Sequence, residues 1–251
     1  MNRRTTWAYV ALGGCALTAA IGAPAAAVMA PGTPGNDIHI GRDDDSAANR
    51  LVQPAGVGRA QHMSLTDILV GRLGDDLLIG RKGDDTLIGN EGADILLGGP
   101  DRGGNPADDI LMGEDGDDVA VWGPGDGNDA YVGLTGTDTL IVAPVAATSG
   151  GQAVLTTWAG RKIPRVGAGT GVTCTLTPAG PLGFDHLVRM WVDGKIVNST
   201  RVLDVERLYC PGPTVGTVRY ADLGAANPAF STVPRSSAPG LAGAILATAT
   251  A

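Results

Sequence analysis

Nine aspartates recur at one place of a nine-residue repeat: Asp37, Asp67, Asp76, Asp85, Asp94, Asp109, Asp118, Asp129 and Asp138. The clearest run reads Gly71-Arg-Leu-Gly-Asp-Asp-Leu-Leu-Ile, Gly80-Arg-Lys-Gly-Asp-Asp-Thr-Leu-Ile and Gly89-Asn-Glu-Gly-Ala-Asp-Ile-Leu-Leu, with no residue gained or lost between units. Gly stands at places one and four, Asp at six and an aliphatic residue at eight. Carboxylates repeated at a fixed period are ligands for hard cations more readily than acid–base pairs. A short Asp side chain can serve a turn and a cation together.

A nine-residue period fits neither a helical stripe nor a plain amphipathic strand. It fits a tight turn plus a short strand, repeated until stacked units share a core. Glycine at places one and four is expected to allow positive φ. Side chains alternate faces along a strand, so place eight points inward. That row is His39, Leu69, Leu78, Leu87, Leu96, Leu111, Ala120, Tyr131 and Leu140. Two consecutive units make one coil and alternate units stack, giving a parallel β-roll with two columns of aspartates. Carboxylates then recur every ~4.8 Å along a column and repel by a few kcal/mol at an effective dielectric of about 20. A divalent cation between stacked turns, held by carboxylates and turn carbonyls, removes that repulsion and completes the fold.

The charge distribution agrees. Between Pro31 and Val142 there are 21 acidic residues against seven basic ones, a balance of -14, whereas from Ala143 onward five acidic stand against nine basic. An acidic domain of this kind excludes nucleic acid as partner and favours cations. Stacking leaves up to about seven gaps, and seven divalent ions would carry about +14. Aromatics are only 4% of the chain and Gly reaches 39 residues, so an ordinary aromatic-filled globule is also excluded.

The pattern Gly-Gly-x-Gly-x-Asp-x-(aliphatic)-x resembles the nonapeptide of the repeats-in-toxin (hemolysin-type) calcium-binding proteins of secreted bacterial type, over roughly residues 32 to 142. The resemblance implies Ca2+ held by the place-six aspartates and by turn carbonyls. It also implies turn-tightening Asn or Asp at place five, counted with the place-six aspartates among the metal-site residues: Asn36, Asp75, Asp84, Asp108, Asp117 and Asn128. The sequence departs from the pattern at Thr66, Ala93 and Thr137, and at His39 in the inward row. An alternative reading is a Gly-rich solenoid whose aspartates only cap turns.

The outward places seven and nine are apolar: Ile38, Ile40, Leu77, Ile79, Ile95, Leu97, Val119 and Val121 on one sheet, and Ile68, Val70, Ile88, Ile110, Met112 and Val132 on the other. A soluble protein seldom leaves such a stripe bare. Either the C-terminal half or a second copy covers at least one sheet, or these residues serve strand propensity. Asp43-Asp44-Asp45 reads as a further cation site or as a solvated acidic turn, and Trp122 as packing at a sheet margin.

At the amino terminus, Arg3 and Arg4 precede an uncharged Ala- and Leu-rich run with Ala25-Ala26-Ala27 as a cleavage site. This describes a secretory signal peptide over 1–30 and an extracellular protein, with lipid anchoring at Cys15 as the alternative. No stable transmembrane span is expected. Residues 31–142 form the roll, interrupted at about 46–64 and 101–107. Residues 143–225 form a small β-rich C-terminal domain or a cap of the roll, within an all-β chain. Its signals are Val172–Thr177, Thr217–Tyr220 and a hairpin turning at Asp193-Gly194. The segment Leu203–Leu208 resembles, over a short span, the strand that follows such repeats. Cys174 and Cys210 form a disulfide or stay as buried thiols. Residues 226–251, rich in Ala, Ser, Pro and Thr, read as a disordered tail.

No His-Glu-x-x-His and no Gly-x-Ser-x-Gly occurs. Asp185-His186 has no nucleophile placed beside it by sequence. The expectation is a non-catalytic, calcium-dependent structural or adhesive protein. The alternative is a small secreted hydrolase whose site lies in residues 143–251.

Overall fold

The computed structural model describes residues 29–40, 67–99, 108–149, 152–180 and 183–249. The leader up to residue 28 with Cys15, the Asp43–Asp45 run, both insertions and Thr66 lie outside the described residues. A first strand β1 (Met29–Pro31) pairs in parallel with β3 (Ile68–Leu73), so the expected leader boundary at residue 30 cuts through a strand.

Each unit ends in a strand because three aliphatic-rich residues follow a glycine turn that reverses the chain. The odd units give β2 (Ile38–Ile40), β4 (Leu77–Ile79), β6 (Ile95–Leu97), β8 (Val119–Trp122) and β10 (Thr139–Val142), all parallel. The even units give β3, β5 (Thr86–Glu91), β7 (Ile110–Asp115) and β9 (Ala130–Thr135), likewise parallel. The register stacks place eight on place eight: Leu69, Leu87, Leu111 and Tyr131 in one sheet, and Leu78, Leu96, Ala120 and Leu140 in the other. These eight side chains are at most 3% exposed and face one another as the interior of a parallel β-roll. The backbone of His39 keeps the same register, opposite Leu78.

Glycine at place one works differently from expectation. Positive φ falls at place four (Gly74, Gly83, Gly92, Gly116, Gly136) and at place two, where Arg72, Arg81, Asn90, Glu114 and Leu134 adopt φ between 75° and 89°. Place-one glycines are needed for space: a Cβ on Gly89 would land on Asp94 Oδ2 and lie 2.8 Å from the carbonyl oxygen of Gly113.

The C-terminal half contributes β11 (Leu155–Trp158), β12 (Arg161–Pro164), β13 (Val172–Pro178), β14 (His186–Val192), β15 (Lys195–Leu203), β16 (Arg207–Pro211), β17 (Thr217–Asp222) and β18 (Ser231–Pro234). It is a cap of the roll rather than a separate body. β15 adds in parallel to β9 and then runs antiparallel to β14 and β13, while β16 adds in parallel to β10 and then meets β17 and β18. The interior cluster continues without a break from Leu140 into Val202, Leu208, Val188 and Met190. A disulfide between Cys174 and Cys210 joins the two sheets across this interior, with Cα atoms 6.2 Å apart. Trp122 is buried in the same interior, not at a sheet margin.

The tail is also different from expectation. After Ser231–Pro234, helix α1 (Gly240–Ala247) buries Leu241, Ala242, Ile245 and Leu246. These residues, with Ile163 and Val166, cover the outward Leu77, Ile79, Ile95, Leu97, Val119, Val121 and Ile141 of the odd-unit sheet. An Ala- and Leu-containing segment that resembles a solvated tail in sequence is ordered by the apolar face it covers. Ile38 and Ile40, at the far edge of that sheet, stay about half exposed, and so does Ile110 on the even-unit sheet. Among the described residues no helix is long and apolar enough to cross a membrane.

Candidate metal centre

The place-six aspartates form two hydrogen-bonded columns. In the odd column the backbone N–H of each residue donates to Oδ1 two units on: Asp37 to Asp76 at 2.6 Å, Asp76 to Asp94 and Asp94 to Asp118 at 2.7 Å, and Asp118 to Asp138 at 3.0 Å. The even column runs Asp67 to Asp85 at 2.8 Å, Asp85 to Asp109 at 2.7 Å and Asp109 to Asp129 at 3.0 Å. This ladder buries the carboxylates inside the turns: apart from the half-buried Asp37, every member is at most 4% exposed.

In Asp94, Asp118 and Asp138 one carboxylate oxygen is satisfied by the ladder and the other is not. Oδ2 of Asp94, Asp118 and Asp138 is buried without a hydrogen bond. A buried oxygen in that state costs free energy unless something positive reaches it. Burial pushes the Asp94 and Asp118 carboxyls up to about 7 and that of Asp138 up to about 8. The ladder N–H bonds oppose the rise and neighbouring carboxylates add to it.

The place-six Oδ2 atoms have oxygen neighbours. At Gly71, Gly80 and Gly89 the space that a Cβ would fill is bounded by the place-six Oδ2 of its own unit and by the place-one carbonyl two units on. At Gly80 those are Asp85 Oδ2 at 2.5 Å and the Gly98 carbonyl at 2.6 Å; Gly71 meets the Gly89 carbonyl at 2.7 Å beside Asp76 Oδ2. Two oxygens converge there, a donor set suited to a hard cation. Among the described residues no three Asp, Glu, His or Cys side chains converge to hold a metal by themselves, so carbonyls must supply the remaining ligands.

Place five makes a second ladder, running the other way. Oδ1 of Asn36 accepts from Asp75 N, Asp75 from Ala93 N, Asp84 from Asp108 N, Asp108 from Asn128 N, and Asp117 from Thr137 N, at 2.8–3.1 Å. These side chains lock one turn to the next. Ala93 has no side-chain oxygen with which to continue the ladder to Asp117.

Residues 65–102 and 103–120 match the family model described as RTX calcium-binding nonapeptide repeat, with four copies. Residues 65–120 of the roll are RTX calcium-binding nonapeptide repeats. No curated protein matches the chain. The RTX match begins inside the second unit and ends inside the seventh. Units one, eight and nine are assigned by their strand register, since β2, β9 and β10 pair in step with their neighbours.

Three further residues close the columns and were missed in the sequence. Glu206 Oε2 accepts from Asp138 N at 2.7 Å, taking the position of the next place-six aspartate. On the even side Thr200 Oγ1 donates to the Asp129 carbonyl at 3.0 Å, and Ser199 N donates to Asn128 Oδ1 at 2.9 Å. The signal was present in Glu206-Arg-Leu208, which repeats the acid-x-aliphatic spacing of places six to eight. A shortened turn between Leu203 and Glu206 broke the period that would have exposed it. Asp185 does not serve His186: its Oδ2 accepts from the N–H of Asp204 at 3.0 Å.

Proposed function

We propose that this chain is a non-catalytic extracellular protein whose roll folds on binding several calcium ions, up to about seven, and serves a structural, adhesive or surface-attached role. The observation that carries the reading is the column of buried carboxylate oxygens on Asp94, Asp118 and Asp138 with no hydrogen-bond partner. Calcium bound there would accept these oxygens together with turn carbonyls and neutralise the column. Asp37, Asp67, Asp76, Asp85, Asp94, Asp109, Asp118, Asp129 and Asp138 are the proposed side-chain ligands. Asn36, Asp75, Asp84, Asp108, Asp117 and Asn128 complete the proposed metal-site set, and their Oδ1 atoms hold the turns in register by accepting backbone N–H groups. The outer face of the even-unit sheet, partly buried at Ile68, Val70, Ile88, Met112 and Val132 and 47% exposed at Ile110, is the surface assigned to self-association or attachment.

Calorimetric titration of the mature chain with calcium, alongside circular dichroism with and without chelator, tests the reading. Multiple binding events and a calcium-dependent strand signal are expected. A thermal midpoint that ignores millimolar calcium would overturn it.

A further inference from the structure

The β11–β12 hairpin stands outside both large sheets and is held to the roll partly by one side chain. Arg161, at the start of β12, sends its guanidinium into the turns of the odd column. Nη1 lies 3.2 Å from Asp75 Oδ2 and Nη2 donates to the carbonyl of Ala93. Its side chain is only 11% exposed. The two contacts span two stacked turns, because Asp75 belongs to the third unit and Ala93 to the fifth. They also fall where the place-five ladder ends, at the one regular unit with alanine in place of an acid.

We propose that Arg161 is a resident cation of the roll, bridging the third and fifth units in place of a calcium ion, so that calcium entering that gap must displace it. Three observations support this. The guanidinium binds a carboxylate and a turn carbonyl, the same oxygen types that a calcium ion between stacked turns would use. Its field reaches Asp94, Asp76 and Asp118 as well as Asp75. The Oδ2 of Asp94 nonetheless has no hydrogen bond, so Arg161 balances the charge without saturating the donors. An arginine suits the task, since it stays charged when buried and its planar fork can hold two acceptors at once.

Linkage then fixes the behaviour. If Arg161 lowers calcium affinity at this gap, calcium loosens the hairpin by the same factor. The hairpin is thereby a calcium-responsive element, its Arg161 contact held when the ion is absent and weakened when it is bound. This inference rests on the calcium reading above, and the experiment separates the two.

Calcium titrations of the wild type, Arg161→Gln and Arg161→Lys, each followed by thermal melts with and without calcium, test the proposal. Arg161→Gln is expected to bind calcium at the tightest-responding step about tenfold more strongly, within the usual range of site–site coupling. Its calcium-free midpoint should fall while its calcium-loaded midpoint holds. An Arg161 that is only a strut would lower both midpoints alike and leave the isotherm unchanged, which overturns the proposal. Should Arg161→Gln not fold, Arg161→Lys decides: an ammonium cannot hold both acceptors in the same fork, so a smaller gain in affinity is expected and an unchanged isotherm overturns. A wild type that binds no calcium sinks the calcium reading itself.

Discussion

The backbone N–H of Asp138 donates to Glu206 Oε2 at 2.7 Å, which places a glutamate from the C-terminal half at the end of the odd aspartate column. The last repeat is thus finished by a residue outside the repeats. Glu206→Ala removes the acceptor from an N–H beside a fully buried aspartate, at a cost of about 1–3 kcal/mol. The urea midpoint should fall accordingly both with and without calcium. Glu206→Gln keeps an acceptor oxygen and should restore most of the loss.

Asp94→Asn separates the fold from the ion. The amide oxygen can still accept the N–H of Asp76, which now donates at 2.7 Å to Oδ1, while the buried charge disappears. The variant should melt several degrees higher than wild type in chelator and several degrees lower in saturating calcium, with affinity at that site down at least tenfold, on the order of 1.4 kcal/mol. A variant that lost stability equally in both buffers would contradict the role assigned to Asp94.

The pH dependence should reverse with calcium. In the fold, burial holds the Asp94 and Asp118 carboxyls at about 7 and Asp138 at about 8, against 3.8 for a free side chain. The folded state without calcium therefore binds protons more tightly than the unfolded chain. Its contribution to stability is fully present below about pH 4 and is lost as pH rises through 7 to 8. Calcium binds the ionised form, so in its presence stability should rise over the same window. Thermal melts at pH 5 and pH 8.5, in calcium-free and calcium-containing buffer, check both slopes.

Arg72 shows that the roll carries avoidable strain. It has φ 89° at an exposed position of β3, a region that disfavours side chains by about 1–2 kcal/mol, partly offset by the extra flexibility glycine gives the unfolded chain. Arg72→Gly should raise stability by up to about 1 kcal/mol, read as a shift in the urea midpoint. Gly89→Ala, by contrast, should fail to form the roll, because its Cβ would occupy the space of Asp94 Oδ2.

The interior was legible because one chemistry repeats: a leucine at place eight, buried and stacked on the next, from Leu69 to Leu111 and from Leu78 to Leu96. Asp76, Asp85 and Asp94 were legible for the same reason. Glu206 and Thr200 were not, since they match the columns in geometry after the period has stopped. Helix α1 was hidden by its own plainness. Nothing in Gly240–Ala247 marks it as ordered until Ile95 and Val121 present a face to cover. Arg161 was invisible because its partners, Asp75 and Ala93, lie 68 or more positions away and meet it only through the fold.

Because β15 must join β9 and β16 must join β10, the cap recognises which sheet each unit belongs to. Successive rungs of one column are two units apart, 18 residues where nothing is inserted. Losing a single nine-residue unit would hand every strand before it to the opposite sheet and bring Ile68 and Val70 under helix α1 in place of Leu77 and Ile79. Losing two would shorten the roll and leave each remaining face where it was. The length of this protein is therefore quantised: it can change only by even numbers of repeats, and the C-terminal cap is what counts them.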